Sequence, residues 1–132
     1  MRFMILVKAS TQSEAGVMPT PELLAAMGAF NQRLVAAGVM KDGDGLRPSV
    51  QGARVRFRGA ERLVSHGPFE PVEAQVAGYW IWECASLEEA IDWVRQCPNP
   101  MPSDSDIEIR PFYEAEDFAP AKAPGTGTIP PR

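Results

Sequence analysis

The stretch Val76-Ala77-Gly78-Tyr79-Trp80-Ile81-Trp82-Glu83-Cys84 constrains this chain more than any other. It reads as a β-strand with large apolar or aromatic side chains at successive positions. Tyr79 and Ile81 then point to one side and Trp80 and Trp82 to the other. A strand with rings on both faces needs cover on both, which a sheet with one wet face does not provide. Just before it, Ser65-His66-Gly67-Pro68-Phe69 forms a tight loop holding the only histidine of the chain. Histidine ordinarily changes charge near neutral pH, so the loop is a candidate site beside the strand.

The other elements follow from spacing. Phe3, Ile5 and Val7 alternate with Met4 and Leu6, a strand buried on both faces at its centre. Thr20-Pro21-Glu22 supplies an N-cap, a proline at the first helical position and an early acid. Leu23, Met27, Phe30 and Leu34 then mark one face of a helix that Gly38 ends. Asp42-Gly43-Asp44-Gly45 lacks both the lysine of a phosphate loop and the spaced carboxylates of a calcium loop, and reads as a turn. Ala53, Val55 and Phe57 alternate with Arg54, Arg56 and Arg58, and Gly59-Ala60 turns the chain into Leu63-Val64, a hairpin with one wet face. The arginines either line an anion site or guard an outer strand against edge pairing. Ser86 with Glu89 makes a capping box before the helix face Leu87, Ala90, Ile91 and Val94, which Cys97-Pro98 ends. Residues 106–113 form the last strand.

A chain of 132 residues, with 45% hydrophobic and 23% charged residues, fits one compact core. Residues 1–116 are expected to form it, and 117–132, rich in proline and glycine, to be a tail. The net charge of −4 argues against a nucleic-acid partner. No segment approaches the roughly 20 apolar residues that span a bilayer, and a cytoplasmic location is the default expectation. Two cysteines, Cys84 and Cys97, form no recognised metal or redox spacing, and Cys97 stands at the end of a helix where the dipole disfavours a thiolate.

Strand, helix, hairpin, long strand, helix, strand is the order of a ferredoxin-like α+β unit: an antiparallel sheet with two helices on one face. Two helices cover one face only, and either choice leaves large side chains of strand 76–84 on the other. Each such side chain left in water forfeits on the order of 1.5–3 kcal/mol. A homodimer in which two open sheets face each other, as a dimeric α/β barrel, removes that cost.

The Met-Arg-Phe-Met-Ile start, Ala37-Gly38-Val39, Gly43 to Leu46 with Pro48, Gly67-Pro68-Phe69, Gly78-Tyr79-Trp80, Cys97-Pro98 and Glu108-Ile109-Arg110-Pro111 together resemble the YCII-related domain family, over roughly residues 1–114. Within it they are similar to the branch named for an Asp-Gly-Pro-Phe motif. The resemblance implies a dimeric α/β barrel and no settled activity. Here His66 stands where that branch carries its acid, and Glu70-Pro71-Val72-Glu73 follows the motif.

Two readings of His66 stay open. As a general acid/base at the mouth of a pocket floored by Tyr79 or Trp80, it would be oriented by Glu70 or Glu73, with Phe69, Arg56 and Arg110 contacting a small-molecule substrate. This is the chemistry of a cofactor-free isomerase or lyase. As a structural loop residue, it would cap a backbone carbonyl while the aromatic set forms dimer core, in a domain that binds without catalysis. Zinc requires three or four ligands that His66, Cys84 and Cys97 do not supply at a recognised spacing, and a turn residue before Gly-Pro is a poor support for haem; no metal or cofactor is expected.

Overall fold

The computed structural model describes residues 1–118. In chain order they form β1 (Arg2–Lys8), a short helix α1 (Thr11–Glu14), α2 (Pro21–Ala36), β2 (Met40–Gly45), β3 (Ala53–Arg58), β4 (Glu61–His66), β5 (Val76–Glu83), α3 (Leu87–Arg95) and β6 (Ile107–Pro111). Single 3-10 turns lie at Ser49–Gln51, Val72–Ala74 and Ala115–Phe118. The fold is α+β. Its frame is a four-stranded antiparallel sheet in the order β2-β5-β1-β6.

The alternation in β1 and β5 decides which face is covered. Opposite residues of paired strands share a face, and the register sets Phe3 against Trp82 and Ile5 against Trp80. These side chains are buried with Phe30 and Leu34 of α2 and Ala90 of α3, so both helices lie on the tryptophan face. Phe30 meets Trp80, Trp82 and Trp93 edge-on, with ring centroids at 6.0, 6.2 and 6.4 Å. That geometry sets the positive ring edge against a negative face. Phe3, Ile5 and Leu34, all at 0% exposure, each contribute roughly 1.5–3 kcal/mol through burial. The opposite face carries Met4 against Ile81 and Leu6 against Tyr79, all half-buried.

The caps stand largely where the sequence places them. The Thr20 hydroxyl accepts from the Leu23 N–H at 3.1 Å, Pro21 opens α2, and Gly38 follows it with φ 75°. That left-handed conformation is one glycine adopts without a Cβ penalty. Ser86 accepts from the Glu89 N–H at 3.1 Å, but the Glu89 carboxylate takes the Ala85 N–H at 2.6 Å, one residue before the expected partner.

Two expectations are corrected. Asp42-Gly43-Asp44-Gly45 is not a turn but most of the edge strand β2, paired with β5. Glycine and aspartate are poor strand formers, yet here a side chain would be harmful: a Cβ on Gly43 would stand 2.7 Å from Cδ1 of Trp80 and 3.2 Å from the Tyr79 carbonyl oxygen. Tertiary pairing overrides propensity. The hairpin β3–β4 forms with the expected alternation, Val55 opposite Val64 and Phe57 opposite Arg62, but as a separate two-stranded sheet with every residue exposed on both faces. The four-stranded sheet of the single chain is open. The expected tail begins within the turn Ala115–Phe118, where Phe118 packs on Tyr113 with ring centroids 5.2 Å apart; its remainder lies outside the described residues.

Candidate functional site

Leu23, Met27 and Asn31 stand at i, i+4 and i+8 on α2 and so share one face. Rather than closing fully against the sheet, they form one wall of a cleft of about 940 Å³ beside β2. Met40 and Gly43 to Gly45 of β2, with Ala77 to Trp80 of β5, form the second wall. Val17 to Thr20 and the proline-flanked Met101 close two further sides. The lining is predominantly apolar, with methionines at 18, 27, 40 and 101 around Trp80. Such flexible, polarizable side chains adapt to ligands of varied shape.

The polar side chains of the lining are Gln12, Ser13, Thr20, Asn31, Asp44, Arg47 and Gln51. Trp80 Nε1–H donates to Asn31 Oδ1 at 3.0 Å. At the rim, Arg47 Nη1 donates to Gln51 Oε1 at 3.1 Å.

The His66 loop is fixed near that rim. Ser49 donates its N–H to Glu14 Oε1 at 2.9 Å and its hydroxyl to Glu14 Oε2, while Phe69 N–H donates to the Ser49 oxygen at 3.0 Å. Gly67 N–H donates to the Gly52 carbonyl at 3.1 Å. A Cβ on Gly67 would lie 1.8 Å from the Ser49 carbonyl oxygen, so only glycine fits this crossing. The loop is thereby tied through Ser49 to α1, and Ser49 follows Pro48 of the cleft lining.

Of the residues singled out from the sequence, Tyr79 and Trp80 belong to the cleft lining, with the Trp80 side chain on the helix-covered face of β5 and that of Tyr79 on the other. His66 is not among its lining residues: it ends β4 opposite Ala53 and is exposed. Glu70 and Glu73 are exposed, and among the described residues no hydrogen bond or ion pair joins either to His66. Phe69 carries the Arg54 guanidinium 3.9 Å above its ring centroid. Arg56 is exposed on the hairpin, and Arg110 pairs with Glu108 at 3.2 Å on β6. Asn31 and the Glu14–Ser49 tie escape a reading of the sequence. The available signal for Asn31 is a polar residue in line with Leu23 and Met27 on an otherwise apolar face.

With this arrangement in hand, the comparison with known families is decisive. The model of the YCII-related domain matches residues 1–114. The chain belongs to the YCII-related domain family. It is similar to an uncharacterised protein of Rhizobium meliloti (strain 1021), 34% identical over 86 residues that cover 65% of this chain and 69% of that protein.

Elsewhere in this YCII-related domain the reactive groups are quiet. Cys84 and Cys97 are free thiols, and burial pushes both up to about 11, helped at Cys84 by the negative charges of Glu89 and Glu83. Neither is a ready nucleophile near neutral pH. Hydrogen bonding to Arg2 holds the Glu114 carboxyl below its ordinary range. Among the described residues no helix is long and apolar enough to cross a membrane.

Proposed function

We propose that this YCII-related domain binds a small, largely apolar molecule in the cleft between α2, β2 and β5. The observation that carries this reading is the lining itself: a large space walled by methionines, Leu23 and Trp80, with a few fixed polar groups, the usual make-up of a ligand site. Binding is read as the property of a homodimer. The half-buried Met4, Leu6, Tyr79 and Ile81 on the face away from the helices support two ferredoxin-like sheets meeting as a dimeric α/β barrel. Gly67-Pro68-Phe69, with Gly67 required by its contact with Ser49, supports placement in the Asp-Gly-Pro-Phe branch, His66 replacing the acid.

The test is a fragment screen read by NMR on the three indole N–H signals. Fragments that bind should move the Trp80 signal in a saturable way. Leu23→Trp, which fills the cleft, should weaken them at least about tenfold, the equivalent of roughly 1.4 kcal/mol. Hits that bind Leu23→Trp as well as the parent protein would place binding elsewhere.

A second reading, His66 as general acid/base of a cofactor-free enzyme with Glu70 or Glu73 as its partner, draws support from the anchoring of its loop. The Phe69–Ser49–Glu14 hydrogen bonds hold that loop beside Pro48, at the margin of the cleft. On this reading Phe69, Tyr79, Trp80, Arg56 and Arg110 contact the substrate, and loss of turnover in His66→Asn with ligand binding retained is the expected result. Retained turnover would remove His66 from the chemistry.

A further inference from the structure

The hydrogen bond between Trp80 and Asn31 carries more information than its length. An indole N–H is a donor only, so the atom facing it at 3.0 Å is the carbonyl oxygen of the Asn31 amide, and the orientation of that amide is set. Its Nδ2 group, with two N–H donors, makes no hydrogen bond to the described residues. Asn31 lines the cleft, as do Trp80, Met27 and Gly43 around it. Glycine at 43 leaves no side chain against the indole edge, since even a Cβ there would meet Cδ1 at 2.7 Å. A pair of donors without a partner among the described residues therefore belongs to a residue of the cleft lining, beside an aromatic ring. An occupant without an acceptor would strip those donors of water and return nothing.

Resting on the binding reading above, we infer that the ligand is an aromatic or similarly flat apolar molecule bearing a carbonyl oxygen, which accepts from Asn31 Nδ2 while its rings lie among Trp80 and the methionines. Asn31 is the residue that selects it. Among the described residues the only basic side chain of the lining is the exposed Arg47, which donates to Gln51 through one of its five N–H groups; an anionic ligand group would engage that guanidinium rather than the uncharged Asn31 amide.

Three probes of similar shape separate the possibilities in the full chain: 2-acetylnaphthalene, 2-ethylnaphthalene and 2-naphthoate, with binding followed by the Trp80 indole N–H signal. The parent protein should prefer 2-acetylnaphthalene to 2-ethylnaphthalene by about tenfold, the worth of one hydrogen bond. Asn31→Asp keeps the oxygen that accepts from Trp80 but replaces the donors by an acceptor. It should fold, retain the Trp80 signal, and reduce the preference to about twofold or less, a direct consequence of losing the donor. Equal binding of the two neutral probes by the parent protein, or an unchanged preference in Asn31→Asp, would overturn the assignment while leaving the cleft as a binding site. Tightest binding of 2-naphthoate, lost in Arg47→Gln but not in Asn31→Asp, would replace the carbonyl by an anion at the rim. If none of the three probes moves the Trp80 signal, the cleft reading falls and the ligand class with it.

Discussion

Strand β5 and the hairpin β3–β4 both place apolar side chains at alternate positions, and their fates differ. In β5, Trp80 and Trp82 are buried against Phe30, while in the hairpin Val55, Phe57 and Val64 are 50%, 72% and 62% exposed. The difference lies in what the chain supplies above each strand. Helices α2 and α3, with their caps and apolar faces, stand over the four-stranded sheet; among the described elements nothing stands over the hairpin. Alternation states that a strand can bury one face, and a covering element decides whether it does. The cleft belongs to the packed frame, whereas His66 belongs to the hairpin's last strand.

Substitution can break that contrast. Trp82→Ala, which empties a fully buried site, should cost about 3–5 kcal/mol in chemical denaturation. Gly67→Ala, at the junction of hairpin and frame, forces a Cβ into the Ser49 carbonyl and should cost roughly 1–3 kcal/mol, also loosening the His66 loop. Phe57→Ala in the hairpin should change stability by about 0.5 kcal/mol or less at concentrations where the protein is monomeric. A large loss there would mean that the hairpin is covered after all. Smallest is an effect at the frame's edge. Because Arg2 lowers the Glu114 carboxyl, their pairing stabilises above the ordinary carboxylate range and is lost as the pH falls through the lowered value. The stability gap between the parent and Glu114→Gln should therefore be present at neutral pH and vanish in acid; a gap that persists in acid would assign Glu114 another role.

Much of the frame was legible because its signals are local. The Thr20-Pro21 start, the Gly38 stop, the Ser86 cap and the alternation around Phe3 to Val7 each specify an element within a few residues. Strand β2 was not, since Gly43 makes sense only against Trp80, a contact made across the sheet. Helix α1, a single turn capped by Ser10, carries no periodicity to read. The site divided in the same way. Tyr79 and Trp80 were visible as large rings on a strand needing cover. Asn31 was not, because its role depends on a partner 49 residues away. His66 was conspicuous for its chemistry, yet which side of the hairpin junction it occupies is fixed by the close crossing of Gly67 over Ser49.

Whether the packed frame or the hairpin loop holds the ligand is tested most directly by titrating the protein with a fragment hit while recording the Trp80 indole signal and the lone His66 imidazole signal in the same spectra. With the ligand in the packed frame, the Trp80 signal should move to saturation and that of His66 should stay in place. Saturable movement of His66 with Trp80 unmoved would contradict that placement.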